Sequence, residues 1–299
     1  MNLLAIVGPT ASGKTNISLA VAQKLNAEIV CVDSMLVYRE FNVGTAKPTL
    51  PQRTLVPHHV IDVIHAEDTF SAFDFCQQAT KAIQDIQSRG KIPLLVGGTG
   101  FYLKALETGM VKVPDVPKQI RAELEAQVQD EKEREALYAE FQTIDPELSQ
   151  KVPIQNTYRL IRAMEVYRAS GIPFSKFLNQ APQTPKFKIQ KIGLEVSKEH
   201  LLKNIEQRTS NMISEGLLDE VSELVKKYPS HLKPMKSVGY KEAILHLQGK
   251  MPLVEMKERI GFSTWQLAKR QLTWFRRDAQ IQWIGGQDAA LVDKIQAFC

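Results

Sequence analysis

The stretch GPTASGKT, residues 8–15, decides the fold of this chain. It follows a short apolar run, residues 3–7, and precedes a helical pattern whose apolar residues recur every three or four positions. That strand–loop–helix context distinguishes a phosphate-binding loop from a glycine turn without a ligand. Its glycines let backbone N–H groups face an anion, and the positive end of the following helix adds to the attraction. The sequence therefore predicts a site for a di- or triphosphate.

Individual side chains of this loop have separate expected tasks. Lys14 supplies a mobile positive charge for the phosphates, and the Thr15 hydroxyl can hold a Mg²⁺ ion. We therefore predict Thr15 as the metal ligand. The predicted contacts of the diphosphate or nucleotide are Gly8, Pro9, Thr10, Ala11, Ser12, Gly13, Lys14 and Thr15.

Composition is that of an ordinary globular protein from a reducing compartment. Of 299 residues, 43% are apolar and 24% are charged, and no apolar run is long enough to span a membrane. Met1 leads directly into an apolar strand, so we expect no signal peptide, a cytoplasmic location and a monomer without membrane contact. The three cysteines are far apart and lack metal-site spacing, which indicates a reducing compartment and no structural zinc site. Cys31 is expected in a core strand, Cys76 in a packed helix and Cys299 in a frayed end. The net charge of +5 is mild and permits a nucleic-acid partner.

Apolar strands that alternate with helices predict an α/β fold with a parallel sheet flanked by helices. Besides residues 3–7, strands are expected at 29–32 and 92–96. Ligands of such sheets bind beyond the carboxyl ends of the strands. Asp33 and Thr99 fall at those ends, as the phosphate-binding loop does.

Local signals also predict one helix and one long loop. A helix should begin at Ser71, because Asp74 completes a capping box, and should stop near Gly90. Residues 41–60 contain three prolines and no clear periodicity, which indicates a loop of functional length. The His58-His59 pair within it lacks a third ligand, so a loop role is expected rather than a metal site.

A change near Pro114, from alternating apolar strands and helices to charged helical sequence, indicates a second unit. Residues 117–141 are charged and helical, a further helix ends at Gly171, and the prolines and lysines of residues 173–191 are typical of a linker. These features predict a small all-helical insertion domain over residues 114–189.

The αβ core is then expected to comprise residues 1–113 and 190–299. After the insertion the chain returns to an apolar strand near residues 189–196. Two helical stretches and a short final strand at residues 281–284 should complete the core.

Asp33 is the first candidate for chemistry, since it closes an apolar strand beside the phosphate-binding loop. A carboxylate at this position can bind the metal ion, as in P-loop ATPases, or act as a general base. It can also cap the turn that begins with Ser34. The residues alone leave these three roles open.

Basic residues cluster outside the phosphate-binding loop. The clusters are Arg159 with Arg162, Lys236 with Lys241, and Lys269, Arg270, Arg276 and Arg277. In the last cluster Trp274 and Phe275 lie among the cations, and this combination suits phosphates and unstacked bases of single-stranded RNA. An amphipathic helix with a solvated basic face, and with Trp274 or Phe275 in the core, explains the same pattern.

Eight segments together resemble the bacterial type of the tRNA dimethylallyltransferase family, also called tRNA isopentenyltransferases. The resemblance covers almost the whole chain in order, and its middle and last blocks are far more specific than a phosphate-binding loop alone. The segments are GPTASGKT (8–15), DSMLVYREFNVGTAKPT (33–49), PHHVIDV (57–63), IPLLVGGTGFYLKAL (92–106), RLIRAMEVYRASG (159–171), EQRTSNMISEGLLDEV (206–221), SVGYKE (237–242) and LAKRQLTWFRRD (267–278).

This resemblance implies a P-loop NTPase-like fold related to P-loop kinases, but a different reaction. Family members transfer the dimethylallyl group from dimethylallyl diphosphate to N6 of adenosine 37, in the anticodon loop of tRNAs that read codons beginning with U. The products are N6-dimethylallyladenosine and diphosphate. The target base must leave the loop stack to reach a pocket.

The resemblance also implies catalytic roles for three residues. Asp33 matches the proposed general base, and Thr99 matches the position that helps hold the reacting amine and the leaving oxygen. Arg208, otherwise a solvated helix arginine, matches a group that stabilises the leaving diphosphate together with the phosphate-binding loop and Mg²⁺.

Contacts with the tRNA anticodon stem-loop are implied for a larger set. Many members have glutamine at the position of Leu36 and arginine at that of Trp265, so one base contact and one phosphate contact are in question here. The implied tRNA-binding residues are Asp33, Ser34, Met35, Leu36, Arg121, Tyr158, Arg159, Arg162, Lys236, Lys241, Lys269, Arg270, Trp274 and Arg276.

Three other functions compete with this interpretation. A small-molecule kinase would use the same loop with ATP and transfer phosphate. An isopentenyltransferase acting on free AMP or ATP would not need the insertion or the basic clusters. An ATP-gated RNA-binding module would use both without catalysis. The occurrence of Asp33, Thr99 and Arg208 within their matching motifs disfavours all three.

Overall fold

The computed structural model describes residues 3–285 and 291–296. Two compact units are formed, one by residues 1–108 with 185–299 and the other by residues 109–184. The predicted insertion was 114–189. The structure starts and ends it earlier because the carbonyl of Met110 accepts hydrogen bonds from the backbone N–H groups of Gln183 (2.8 Å) and Thr184 (3.2 Å), which ties residue 110 to the end of the insertion.

The larger unit is built on a six-stranded sheet in the order β3-β2-β4-β1-β5-β6, with every neighbouring pair parallel. Strands β1 and β2 are buried along their whole length, which explains their continuous apolar runs. The strands are β1 Leu3–Val7, β2 Ala27–Val32, β3 His58–His59, β4 Ile92–Gly97, β5 Ile189–Glu195 and β6 Ile281–Gly285.

Helices flank this sheet and form the smaller unit. In chain order they are α1 Lys14–Lys24, α2 Leu50–Leu55, α3 Ala72–Ser88, α4 Gly100–Thr108, α5 Lys118–Gln127, α6 Glu131–Ile144, α7 Pro146–Ser149, α8 Thr157–Ser170, α9 Phe174–Leu178, α10 Lys198–Ser214, α11 Leu217–Lys227, α12 Tyr240–Leu247, α13 Leu253–Phe275 and α14 Leu291–Gln296. Helices α5 to α9 lie in the smaller unit. No helix within 3–285 or 291–296 is long and apolar enough to cross a membrane.

The predicted strands and the predicted helix after Ser71 are confirmed. Ser71 Oγ accepts from the N–H of Asp74, and the Asp74 carboxylate accepts from the N–H of Ser71, so the capping box is complete. The helix ends at Ser88, and Gly90 has the left-handed φ of 70° that follows such an end. Cys31 and Cys76 are buried in β2 and α3, whereas Cys299 lies outside the described residues.

Three expectations about local structure were wrong. The predicted loop 41–60 contains α2, because Thr49 and Gln52 form a second capping box, and β3, because His58 pairs with Ile29 of the sheet. The predicted linker 173–191 contains α9 and the start of β5. The two helical stretches expected after β5 are the four helices α10 to α13, because the chain turns at positive φ at Gly216, Gly239 and Gly249.

The smaller unit has its own apolar core. Helices α5, α6 and α8 contribute Leu124, Phe141 and Leu160, each with no exposed surface. The charged stretch 117–141 is divided between two helices because the Asp130 carboxylate accepts from the first N–H groups of α6. This unit is therefore a helical body with a continuous interior.

Candidate active site

A cavity of about 470 Å³ lies where the strands of the larger unit end. Because parallel strands bring their carboxyl ends to one edge, the loops after β1, β2 and β4 all contribute to its wall. Helices α10 and α13 supply further polar side chains. The polar lining includes Thr10, Ser12, Lys14, Thr15, Asp33, Asn204, Arg208 and Gln271.

The phosphate-binding loop is held in shape by side chains from distant helices. Asn204 Nδ2 donates to the carbonyl of Ala11 at 2.9 Å, and Ala11 has a left-handed φ of 61°. Gln271 accepts from the N–H of Thr10 at 2.8 Å and donates to the carbonyl of Gly98 at 3.2 Å. Gly13, at φ 86°, begins α1 without a side-chain cap. The first N–H groups of α1 therefore remain suited to an anion.

Lys14 is half-buried against the loop that it follows. Its Nζ donates to the carbonyl of Pro9 at 2.5 Å and lies 3.4 Å from Ser12 Oγ. Burial and the neighbouring Arg208 charge lower the pKa of Lys14 to about 7, against the opposing effect of Asp33. An anion in the cavity would restore the charged form of Lys14.

Asp33 and Thr99 are brought together at the ends of β2 and β4. Asp33 Oδ1 accepts from the N–H groups of Met35 (2.7 Å) and Leu36 (3.3 Å), so the turn role considered for this residue is real. Thr99 Oγ1 accepts from the N–H of Ser34 at 3.2 Å, and the N–H of Thr99 donates to the carbonyl of Val32. The carboxylate is thus fixed in direction at the cavity wall.

Arg208 projects from α10 and is half-buried rather than solvated. Its Nη2 donates to the carbonyl of Thr45 at 3.3 Å. Burial lowers the pKa of Arg208, and the charge of Asp33 opposes that effect. Two cations, Lys14 and Arg208, therefore share one cavity with the Asp33 carboxylate, which attracts both. Glu215, at the end of α10, adds a second carboxylate to the lining.

Sequence reasoning missed three residues near this carboxylate and loop. Gln271 and Asn204 anchor the phosphate-binding loop. Desolvation lowers the pKa of Lys233, and the charge of the nearby Asp33 opposes that effect only in part. Lys233 Nζ also lies 5.8 Å from the ring centre of Tyr38. Only Gln271 carried a signal, since it lies within the segment 267–278 that was interpreted as RNA-binding.

The basic segment at the end of α13 has one aromatic residue in the core, as in an amphipathic helix, and one aromatic residue exposed, as in an RNA-binding surface. Phe275 is buried, whereas Trp274 is 44% exposed and packs edge-on against Phe101 at 6.3 Å. Trp265, at the position where arginine was considered, packs against the cluster that contains Leu201 and Ile205. The exposed cations of the larger unit that were predicted to contact RNA are Lys236, Lys241, Lys269, Arg270 and Arg276.

The smaller unit gathers most of its predicted RNA-binding residues around one buried carboxylate. Glu165 is 1% exposed and pairs with Arg121 at 3.2 Å and with Arg162 at 2.6 Å. Arg121 also lies 5.9 Å from the ring centre of Tyr158. Tyr158 and Arg159 are exposed. Both paired arginines therefore have a structural partner besides any nucleic acid.

The histidine pair is part of the sheet edge rather than a loop. His59 Nε2 lies 2.7 Å from Glu28 Oε2, and Glu28 also pairs with Arg89. His58 lines the cavity, and its Nδ1 lies 2.7 Å from the carbonyl of Val56. Burial lowers the pKa of His58, which favours its neutral form at the cavity wall.

Known proteins of one kind match this chain along most of its length. The model of the family described as IPP transferase matches residues 36–278. The tRNA dimethylallyltransferase of Cyanothece sp. is 42% identical over 294 residues, which cover 98% of this chain and 95% of the relative. That of Geobacter metallireducens is 41% identical over 285 residues, covering 94% of this chain and 92% of the relative.

Solved structures agree with this fold. The tRNA isopentenylpyrophosphate transferase of Bacillus halodurans superposes with a TM-score of 0.70 at 35% identity, covering 99% of this chain and 94% of that one. A eukaryotic dimethylallyltransferase acting on tRNA superposes with a TM-score of 0.81 at 27% identity, covering 99% of this chain and 77% of that one.

Proposed function

The chain belongs to the IPP transferase family, and on that premise we propose that it prenylates tRNA. The proposed reaction moves the dimethylallyl group of dimethylallyl diphosphate to N6 of adenosine 37, in tRNAs that read codons beginning with U. One observation carries the proposal: a single cavity combines a phosphate-binding loop, the two cations Lys14 and Arg208, and the Asp33 carboxylate at the ends of the strands. The cations suit the diphosphate, and the carboxylate suits the acceptor amine.

On the donor side, the allylic C–O bond breaks and negative charge grows on the leaving diphosphate. The N–H groups at the start of α1, together with Lys14 and Arg208, stabilise that charge. Because these groups are fixed before the reaction, they need little reorganisation as the charge develops. A loop of the kind that binds nucleotide phosphates thus serves a leaving group.

Mg²⁺ is the proposed cofactor, and the residues present fit it. Thr15, in the first turn of α1, would hold the ion by its hydroxyl. Within the described ranges no group of three His, Cys, Asp or Glu side chains could hold a metal. The Thr15 hydroxyl as protein ligand suits Mg²⁺, because this ion commonly takes most of its ligands from phosphate oxygens and water. When bound, the ion neutralises charge on the diphosphate.

On the acceptor side, the N–C bond forms while N6 loses a proton. The lone pair of this exocyclic amine is delocalised into the ring, so a base that takes the proton as the bond forms is useful. Asp33 accepts that proton, and Thr99 helps to hold the amine and the leaving oxygen. The turn from Asp33 to Leu36 receives the adenine once it leaves the anticodon stack.

Contacts with the rest of the anticodon stem-loop come from exposed or half-buried cations and rings of both units. In the larger unit they are Lys236, Lys241, Lys269, Arg270, Trp274 and Arg276; in the smaller unit they are Arg121, Tyr158, Arg159 and Arg162. Ammonium and guanidinium groups bind phosphates, and an exposed indole can stack on a base. The helical insertion is therefore proposed to be an RNA-binding domain. We further propose that the enzyme is cytoplasmic and monomeric.

Transfer of label from dimethylallyl diphosphate, in the presence of Mg²⁺, tests this proposal. The acceptors are an anticodon stem-loop with adenosine at position 37, the same RNA with guanosine there, and free AMP. Label on the adenosine-37 RNA alone is the expected result. Label on AMP would favour the free-adenylate enzymes. ATP hydrolysis or phosphate transfer without prenylation would favour the kinase or the gated RNA-binding module.

A further inference from the structure

The turn at residues 42–45 is held by one carboxylate from a distant helix. Glu220, in α11, accepts hydrogen bonds from the backbone N–H groups of Asn42 (2.9 Å), Val43 (2.8 Å) and Gly44 (3.2 Å). Three consecutive N–H groups that converge on one side chain fix the direction of the turn. Charge-assisted hydrogen bonds of this kind are stronger than neutral ones.

A buried tyrosine completes this arrangement. Tyr240, with no exposed surface, donates its hydroxyl hydrogen to Glu220 Oε1 at 2.5 Å. A Cβ atom on Gly44 would lie 2.4 Å from the Tyr240 ring, so only glycine permits this close approach. The turn is therefore packed against the same side chain that orients its carboxylate partner. We refer to Glu220 and Tyr240, with the turn that they hold, as the carboxylate clamp.

The clamp ends at the cavity. The carbonyl of Thr45, which follows the clamped N–H groups directly, accepts from Arg208 Nη2 at 3.3 Å. Thr45 and Ala46 line the cavity together with Arg208. On the far side of the turn, Lys47 Nζ binds the carbonyl of Tyr38 (2.7 Å) and the Asp62 carboxylate (2.6 Å). The peptide that contacts Arg208 is thus fixed from both directions.

We propose that Glu220 is a positioning residue that acts through the 42–45 turn to set where the Arg208 guanidinium meets the diphosphate. The identity of that ligand rests on the proposed function. Arg208 has several rotatable bonds, so fixing an otherwise mobile arginine in one conformation on binding costs side-chain entropy and weakens the affinity. A Thr45 carbonyl that is already in place removes that cost before the ligand arrives.

Calorimetry tests this inference by measuring how the full chain binds inorganic pyrophosphate with Mg²⁺. The measurement does not require transfer of the prenyl group to RNA. The variants are Glu220→Gln, Tyr240→Phe, Arg208→Ala and the double variant Glu220→Gln/Arg208→Ala. Glu220→Gln should weaken binding about tenfold, which equals about 1.4 kcal/mol. Tyr240→Phe, which keeps the ring and its packing, should weaken it about threefold.

Non-additivity separates positioning from a general loss of structure. If Glu220 acts through Arg208, Glu220→Gln should add less than about a twofold loss in the Arg208→Ala background. The matched control is Glu223→Gln on the same helix, whose carboxylate is exposed and pairs with Lys226 at 2.7 Å; it should leave pyrophosphate binding unchanged.

Two results would overturn the inference: an equal tenfold loss in both backgrounds, or no loss for either clamp variant. A chain that binds no pyrophosphate at all would overturn it as well. Should Glu220→Gln fail to fold, Tyr240→Phe alone and combined with Arg208→Ala gives the same cycle. Normal cycles in a chain that prenylates no RNA would support the clamp and reject the proposed function.

Discussion

The Gln271 side chain accepts a hydrogen bond from the backbone N–H of Thr10 at 2.8 Å, across 261 positions of sequence. The same amide donates to the carbonyl of Gly98, beside Thr99. On the same helix, α13 presents the adjacent Arg270, and Trp274 about one turn further on, to solvent. The proposed RNA-binding helix is therefore tied by one side chain both to the phosphate-binding loop and to the end of β4.

Gln271→Ala should weaken binding of the donor more than it alters binding of RNA. The substitution leaves the Thr10 N–H and the Gly98 carbonyl without this partner, at a cost of about 1–3 kcal/mol to the folded loop. We expect KM for dimethylallyl diphosphate to rise by about tenfold. Gln266→Ala, on the same helix but outside the cavity lining, is the control. A normal donor KM in Gln271→Ala would contradict this role.

Asp33→Asn should lower kcat by about 10²-fold or more while leaving RNA affinity intact, as expected for loss of a general base. The asparagine oxygen can still accept the N–H bonds of Met35 and Leu36, so the turn after β2 is preserved. Asp33→Ala removes both functions and serves as the comparison. Single-turnover transfer to an adenosine-37 stem-loop measures the chemical step, and wild-type rates in Asp33→Asn would rule out the base.

How far the sequence predicts this site depends on how local each signal is. The strands ending at Val7, Val32 and Gly97 follow from continuous apolar runs, and the loops after them contain the motif residues. The helix after Ser71 follows from its own capping box. Elements of this kind can be predicted because the sequence pattern that determines them lies within a few neighbouring residues.

The missed features depend on partners that are far away in the chain. Strand β3 has only two residues and exists because His58 and His59 pair with β2. Asn204 reaches the loop carbonyl of Ala11 across 193 positions, and an exposed helix asparagine gives no sign of that contact. Lys233 is electrostatically coupled to Asp33 only because tertiary folding brings them together. Tertiary contacts of this kind have no local periodicity.

Neutralising one cation in α13 or at its C-terminal end should flatten the salt dependence of RNA affinity. Lys269, Arg270 and Arg276 are exposed, and each phosphate contact contributes roughly one unit to the slope of log affinity against log salt concentration. Arg270→Gln should therefore reduce that slope by about one. Lys81→Gln in α3, an exposed lysine that is not among the proposed RNA contacts, is the control. An unaltered slope for Arg270→Gln and for the matching variants Lys269→Gln and Arg276→Gln would show that this face is merely solvated.

Pyrophosphate affinity should fall as pH rises through the pKa of Lys14. In the free protein that pKa is lowered to about 7, chiefly by burial, so the ammonium form is fully present only below that pH. An anion in the cavity stabilises the ammonium form and raises the pKa, so binding takes up a proton above pH 7. Affinity should then drop by up to about tenfold per pH unit until the pKa of the complex is reached.

Lys14→Arg is the matched control for this pH dependence, because a guanidinium stays protonated over the whole range. Ionisation of pyrophosphate itself affects both proteins equally, so the difference between their profiles reports Lys14 alone. Stability should change in the opposite direction. The unfolded chain binds the Lys14 proton between pH 7 and about 10.5 and the folded chain does not, so the free energy of unfolding gains a contribution that rises with pH in that window. Parallel binding profiles for the two proteins would show that Lys14 is already charged in the free protein.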